Sequence, residues 1–563
     1  MIQKYNILKN GINKLSDIRL LAFIGVVFVF YLILSTLNQG ISCDEGFYLL
    51  GYLDRQKLGD AISDFHFIIK SDIFFIPDNN VLSFRYFRLI FNSLSLMFFA
   101  FISYKWLKHR FGLRKNIFLY FCMIILGGFM SFTYAAPTIS FDHLQQIFYL
   151  LATSVLLLIL TYKNKILKSI NALFLGFFYV FLLTNYLPSG ILFIITSFLL
   201  ILLEDRNNKF IFFLFSCIGF FLGLLFYHFY IHNLIEYLQS IIRILNIEKS
   251  GIANHDNSSL ISELIIQIGF LLLISIVYVT FLFFILRKFQ LPHILKLILF
   301  IIVCATLLII RDVYLLKSNL FILPIISLFS IYLVQDNEKL KSKILNNDFI
   351  LFTIFMLLPF IGIFGTNQSL FTKMLIFFPF WIVAYFIIDA KILKQYEFVQ
   401  NKILYLFVVM LIAGYVYLGN FSRYQYYYSP RSSKFKIENN ERYNSILVSK
   451  YQKDYYNDLY KILKENGLKK NDTFVAFGEN QIPIYMFGGY FYGGLVYHWH
   501  QYRAIPKYKP SFIIMFKDEE KDAMKYLKKT RWNFPDDFKK VEMRSMSENM
   551  KGMKYNTLIF CKK

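Results

Sequence analysis

Residues 20–46, LLAFIGVVFVFYLILSTLNQGISCDEG, decide the fold. From Leu20 to Thr36 no residue is charged, and a helix of that length rises about 25 Å, close to the hydrocarbon thickness of a bilayer. The run is preceded by Lys4, Lys9, Lys14 and Arg19 and lacks a small-residue cleavage site, so it reads as a retained first membrane span rather than a signal peptide. It ends at Asn38-Gln39-Gly40, and two carboxylates, Asp44 and Glu45, follow within a few residues.

The rest of the chain repeats the first half of that pattern. Of its 563 residues, 57% are hydrophobic, 20% aromatic and only 17% charged, which is more apolar surface than one globular core can bury. Apolar runs fall near residues 20–36, 87–103, 117–134, 144–161, 170–184, 187–203, 210–229, 263–286, 296–310, 314–334, 349–364, 374–389 and 403–420, about thirteen spans. The net charge of +24 excludes nucleic acid as the partner, because the basic residues sit in short loops rather than on one soluble face. Lys105, Lys108, Arg110, Arg114 and Lys115 follow span two; Lys163, Lys165 and Lys168 follow span four; Arg206 and Lys209, Arg287, Lys288 and Lys296, then Lys339, Lys341 and Lys343, then Lys391, Lys394 and Lys402 continue the phase. Basic loops stay in the cytoplasm, so the reading is a multi-pass inner (plasma) membrane protein with its N-terminus cytoplasmic and an odd number of spans. The five cysteines, at 43, 122, 217, 304 and 561, form no CxxC and imply neither a disulfide framework nor a zinc site.

Three outside segments exceed mere connectors. In residues 37–86, GFYLLGYLDRQKLGDAIS and FHFIIKSDIFF read as short helices lying along the interface, and in residues 230–262 the apolar stripe Leu234, Leu238, Ile241 and Ile242 gives a third. The tail, residues 422–563, carries a helical pattern ended by Gly467, the β-like runs TFVAFG, SFIIMF and NTLIFC, and a helical EEKDAMKYLKK. The expected architecture is an all-α polytopic transmembrane region over residues 1–421 with a small extracytoplasmic α/β domain over residues 422–563, its sheet at least partly parallel.

Chemistry is expected where outside loops meet spans. Asp44 and Glu45 are adjacent carboxylates at a membrane boundary, which cost free energy unless they meet a cation, a metal or a proton donor. In a dry pocket one of them is a candidate general base or metal ligand. Asp142 and His143 lie at the outer end of span four; His143 is either a helix cap or a proton shuttle. Arg85 and Arg88 share a helix face at the start of span two, Arg311 and Lys317 flank the turn between spans nine and ten, and Lys373 opens span twelve. Such cations suit a phosphate headgroup, although snorkelling is the plainer reading of each alone. The breaks Thr184-Asn185-Tyr186-Leu187-Pro188-Ser189-Gly190 and Gly365-Thr366-Asn367-Gln368-Ser369 are turns whose amides and hydroxyls suit a sugar, through Asn185 and Asn367.

An acidic pair just after the first span, a long first outside loop, a second Asp after span three and a C-terminal outside domain together resemble the GT-C glycosyltransferase superfamily. The nearest likeness is to bacterial transferases related to protein O-mannosyltransferases and lipid A aminoarabinose transferases. The resemblance covers the whole architecture, but its motifs are short. It implies transfer of a sugar from a polyprenyl-phosphate donor to a lipid, glycan or protein acceptor. Asp44 is then the catalytic carboxylate, with Glu45 and Asp142 supporting it or binding a divalent cation, Mg or Mn, through Asp44 and Glu45. The Asn185-Tyr186 stretch departs from relatives that often place a Lys there. The competing class is a transporter or flippase for a lipid-linked glycan, which would carry ionisable groups within spans and internal repeats; neither is evident. An O-antigen polymerase or ligase would place its long loop late in the chain, and a catalytically dead scaffold is the remaining alternative. Sugar, acceptor and oligomeric state are not encoded in any local motif.

Overall fold

The computed structural model describes residues 18–41, 45–53, 65–69, 80–113, 117–133, 137–204, 209–249, 347–364, 373–392, 409, 412–417, 433–438, 440–477, 481–488, 490–491, 509–528, 530, 532–546 and 555–563. The apolar runs at 263–286, 296–310 and 314–334, and most of 403–420, lie outside these residues. The described chain is mostly helical, with a small sheet region at its C-terminus. It is a membrane protein by its helices. Six are long and apolar enough to cross a bilayer: Arg19–Leu37, Val81–Phe111, Phe141–Thr161, Lys165–Asn185, Leu187–Glu204 and Lys209–Ile231.

In chain order the helices are α1 (Ile18–Leu37), α2 (Glu45–Leu53), α3 (Phe65–Ile69), α4 (Val81–Phe111), α5 (Ile117–Phe129), α6 (Phe141–Thr161), α7 (Lys165–Asn185), α8 (Leu187–Glu204), α9 (Lys209–Phe226), α10 (Leu234–Lys249), α11 (Asn347–Ile363) and α12 (Phe378–Ile392). A one-turn π-helix, Tyr227–Ile231, extends α9. The central helix is α6, with 78% of its apolar window buried, while α9 at 28% is peripheral. Phe213, Phe221 and Leu225 on α9, like Phe23, Ile24 and Val27 on α1, are exposed apolar residues of the kind a lipid solvent favours. Helices α7 and α9 touch backbone to backbone. A Cβ on Gly176 would lie 2.0 Å from the Ser216 carbonyl oxygen, and one on Gly219 would lie 1.9 Å from that of Leu173. Gly219 and Gly223 are spaced as the small-xxx-small pairs that let membrane helices approach closely.

Helix α4 has 31 residues, about 46 Å, and overshoots the hydrocarbon layer. It starts at Val81, several residues before the apolar run at 87–103, because the Asn80 side chain caps it by accepting from the Leu82 amide. Arg85 and Arg88 therefore sit inside a protein-covered helical turn.

The C-terminal region holds α13 (Lys450–Glu465), α14 (Gln481–Met486) and α15 (Glu520–Leu527) around a five-stranded sheet of order β4-β3-β5-β7-β6. The strands are β3 (Thr473–Ala476), β4 (Tyr490–Phe491), β5 (Phe512–Phe516), β6 (Phe538–Met546) and β7 (Tyr555–Lys562). Strands β3, β4 and β5 are parallel, and β7 pairs antiparallel with β5 and β6. Along β5, Phe512 and Ile514 join the main core while Ile513 and Met515 join a second, smaller one. Burial on both faces explains why the central strands are continuous apolar runs in sequence. Helix α13 ends where Gly467 takes a φ of 87°.

This region is docked on the helical bundle. A two-stranded ribbon, β1 (Phe435–Lys436) with β2 (Leu447–Val448), extends onto the end of α1 through a parallel bridge between Gln39 and Leu447. The Gly40 amide donates to the Leu447 carbonyl and the Leu447 amide to the Asn38 carbonyl, each at 2.7 Å. Ser445 reaches the Asn80 side chain at 3.0 Å, and the Val81 amide donates to the Arg442 carbonyl at 3.3 Å. Tyr48, Leu49 and Tyr52 of α2 are buried in one core with Tyr443, Ile446 and Tyr485. Helix α2 is thus packed inside the protein instead of lying along the interface as its sequence suggests. Its apolar face finds the C-terminal region before it finds lipid.

Candidate functional site

The docked end of the bundle contains two buried ion pairs. Glu45 opens α2, where a carboxylate complements the positive helix terminus. Both of its oxygens accept from Arg85, Oε1 from Nε at 2.8 Å and Oε2 from Nη2 at 2.6 Å, and both side chains are 0% exposed. Arg85 also donates to the carbonyls that close α1: Nη1 to Leu37 at 2.6 Å and to Gln39 at 3.4 Å, Nη2 to Gly40 at 2.8 Å. Gly40 adopts a φ of 70°, open to glycine without strain. Its carbonyl holds Arg85 while its amide holds Leu447. One residue ties the C-terminal region to the ion pair.

The second pair is Asp142 with Lys373, at 3.1 Å and almost fully buried. Asp142 lies in the first turn of α6, and Lys373 precedes the 3-10 turn Met374–Phe377 that leads into α12. The Lys373 ammonium also lies 4.9 Å from the Phe141 ring centroid. His143 acts as a cap: its Nδ1 accepts the Ser140 amide at 3.1 Å and lies 2.9 Å from the Ser140 hydroxyl. Asn185 donates to the Phe141 carbonyl at 2.9 Å and the Gln145 side chain at 2.8 Å. Gln145 in turn reaches Ser189, which bonds the Gly362 carbonyl, so Asn185 belongs to a buried polar seam joining α6, α7, α8 and α11.

Helix α2 connects the pairs. One turn beyond Glu45, the Tyr48 ring meets that of Phe141 at 6.4 Å, and the Tyr52 hydroxyl bonds the Ile139 carbonyl. The C-terminal region closes the other side. Burial and then the charge of Glu45 hold the Tyr443 hydroxyl well above the ordinary tyrosine range. Burial likewise raises Tyr485, with Glu45 adding to the shift and Arg442 opposing it. Both hydroxyls stay protonated at physiological pH.

Four residues expected at the site, Asp44, Arg311, Lys317 and Asn367, lie outside the described residues. Of the others, Glu45 and Arg85 pair with each other, and Asp142, His143 and Asn185 gather at the start of α6. Arg88 donates to the Ser131 carbonyl at 2.8 Å and lies over the Phe132 ring at 4.2 Å. Lys373 proves to be the partner of Asp142. Arg442 and Tyr443 sit in a polar, Tyr-rich stretch and Tyr485 in a short apolar one, and only contacts with segments hundreds of residues away single them out.

Buried protein cations meet the charges of Glu45 and Asp142, and Asp44, the other ligand expected for a divalent cation, lies outside the described residues. Among the described residues no three ligating side chains gather. No known family, curated protein or solved structure matches the chain.

Proposed function

We propose that the chain is a membrane glycosyltransferase of GT-C type, moving a sugar from a polyprenyl-phosphate donor to a lipid, glycan or protein acceptor on the extracytoplasmic side. The observation that carries this reading is the pair of buried acid–cation contacts, Glu45–Arg85, which Gly40 ties to the docked C-terminal region, and Asp142–Lys373. In the reaction, an acceptor hydroxyl attacks the anomeric carbon and the bond from that carbon to the phosphate oxygen breaks. The lipid phosphate leaves with the electron pair, and Asp44 takes the acceptor proton. Cations from the set Arg85, Arg88, Arg311 and Lys317 stabilise the departing phosphate. Glu45 orients Arg85, Asp142 holds Lys373 beside them, and His143, Asn185 and Asn367 shape the sugar pocket.

The finer topology belongs to the same proposal: about thirteen spans, a cytoplasmic N-terminus and an extracytoplasmic C-terminal region. Alkaline phosphatase fused at the C-terminus is then active and a cytoplasm-only fluorescent reporter dark; the reverse pattern overturns the topology. The function is tested with purified full-length protein in vesicles carrying a polyprenyl-phosphate sugar. Formation of a glycosidic bond to an added acceptor is expected. Movement of the lipid across the bilayer without such a bond would assign the chain to the transporters.

A further inference from the structure

Tyr443 is a buried polar group that this mechanism leaves unused. It is fully buried, and its ring packs edge-on against Tyr485 with centroids 6.1 Å apart. Its backbone is fixed on both sides: the amide donates to the Asn440 side chain at 3.0 Å, and the carbonyl accepts from the Ile446 amide at 2.9 Å. Yet among the described residues no group lies within hydrogen-bond distance of its hydroxyl. Such a hydroxyl costs free energy, and each one in a folded chain asks for an explanation.

Its surroundings provide one. The preceding residue, Arg442, bonds through its carbonyl to the first amide of α4, one turn from Arg85. Tyr485, on which the Tyr443 ring packs, belongs to α14, and α14 packs against α2, the helix that Glu45 opens. In the structure Arg85 occupies both oxygens of Glu45. A phosphate that recruits Arg85 by bidentate contact would leave Glu45 charged in a dry site, which is costly unless a second donor takes over.

We propose that Tyr443 is a positioning residue of the donor site: when the phosphate of a polyprenyl-phosphate lipid takes Arg85, the Tyr443 hydroxyl donates to Glu45 and holds that carboxylate in place. The C-terminal region thereby completes a site that the membrane helices begin. For the class of ligand, this inference rests on the reading given under Proposed function.

The test titrates a polyprenyl monophosphate into the full-length protein in nanodiscs, for wild type, Tyr443→Phe, Glu45→Gln and the double variant. The thermal midpoint of each is measured without lipid. Tyr443→Phe should weaken lipid binding roughly tenfold, the size of one buried hydrogen bond, while the lipid-free midpoint holds or rises because an unsatisfied hydroxyl is gone. In the Glu45→Gln background the same substitution should change affinity by no more than about twofold, since the two positions act on one contact. If Glu45→Gln does not fold, the Tyr443→Phe result decides alone. Unchanged affinity in Tyr443→Phe overturns the proposal, as does an equal loss in both backgrounds or a wild type that does not bind the lipid phosphate. A wild type that binds it in a Tyr443-dependent way but forms no glycosidic bond refutes the transferase reading and leaves this inference standing.

Discussion

The two ends of α4 carry the same chemistry in different surroundings. At one end Arg85 meets Glu45 with both side chains at 0% exposure, under the C-terminal region. At the other, Arg110 meets Glu204 at 2.7 Å and Asp348 at 2.9 Å, joining the ends of α4, α8 and α11, with 31% of the Arg110 side chain exposed. The Arg110 cluster works in partial contact with water, where salt screens it and each pair contributes little. The Arg85 pair carries a large desolvation cost that its hydrogen bonds must offset. Stability alone does not call for so costly an arrangement, since a well-packed apolar pair serves as well. The comparison separates a fully buried, costly ion pair at one end of α4 from a partly wetted cluster at the other, and the proposed sugar transfer is assigned to the buried end.

Removing single cations ranks the two ends. Arg85→Ala leaves Glu45 buried without its main cation and also strips the last carbonyls of α1, so it should cost about 3–5 kcal/mol. Lys373→Ala gives up a single contact to Asp142 and should fall at the lower edge of that range, about 3 kcal/mol. Arg110→Ala should cost about 1 kcal/mol, and the loss should shrink further in high salt. Thermal unfolding of the three variants in one detergent, at low and high salt, checks the order. An Arg110→Ala loss as large as that of Arg85→Ala would erase the distinction.

Much of the helical part was legible in sequence, because a chain in lipid must satisfy its backbone within helices and so writes long apolar runs. The runs at 170–184 and 187–203 are indeed separate helices, broken at Tyr186, whose amide bonds back to the Leu182 carbonyl. The three β-like runs of the tail are strands β3, β5 and β7, and Gly467 ends its helix as its position suggests. The site was legible only in part. Glu45, Arg85 and Asp142 stand out as charges at span ends, but no local rule says that Glu45 belongs to Arg85 or Asp142 to Lys373. Arg85 and Arg88, alike by their spacing, meet different partners, the carbonyls that close α1 for the first and the Ser131 carbonyl for the second. The contribution of Tyr443 depends on docking across some 400 residues of chain, from Gly40 to Leu447, and such long-range pairing leaves no periodic trace in sequence.

The central claim is that the Glu45 end of the bundle performs sugar transfer while the Arg110 end only holds helices together. Turnover from a polyprenyl-phosphate sugar donor, per folded molecule, tests it most directly in Asp44→Asn and Glu45→Gln beside Arg110→Lys. The account predicts a fall of about 10²–10⁴-fold in Asp44→Asn, a smaller fall in Glu45→Gln, and turnover within about twofold of wild type in Arg110→Lys. Near-wild-type transfer by both acidic-site variants, or an equal loss in Arg110→Lys, would contradict it.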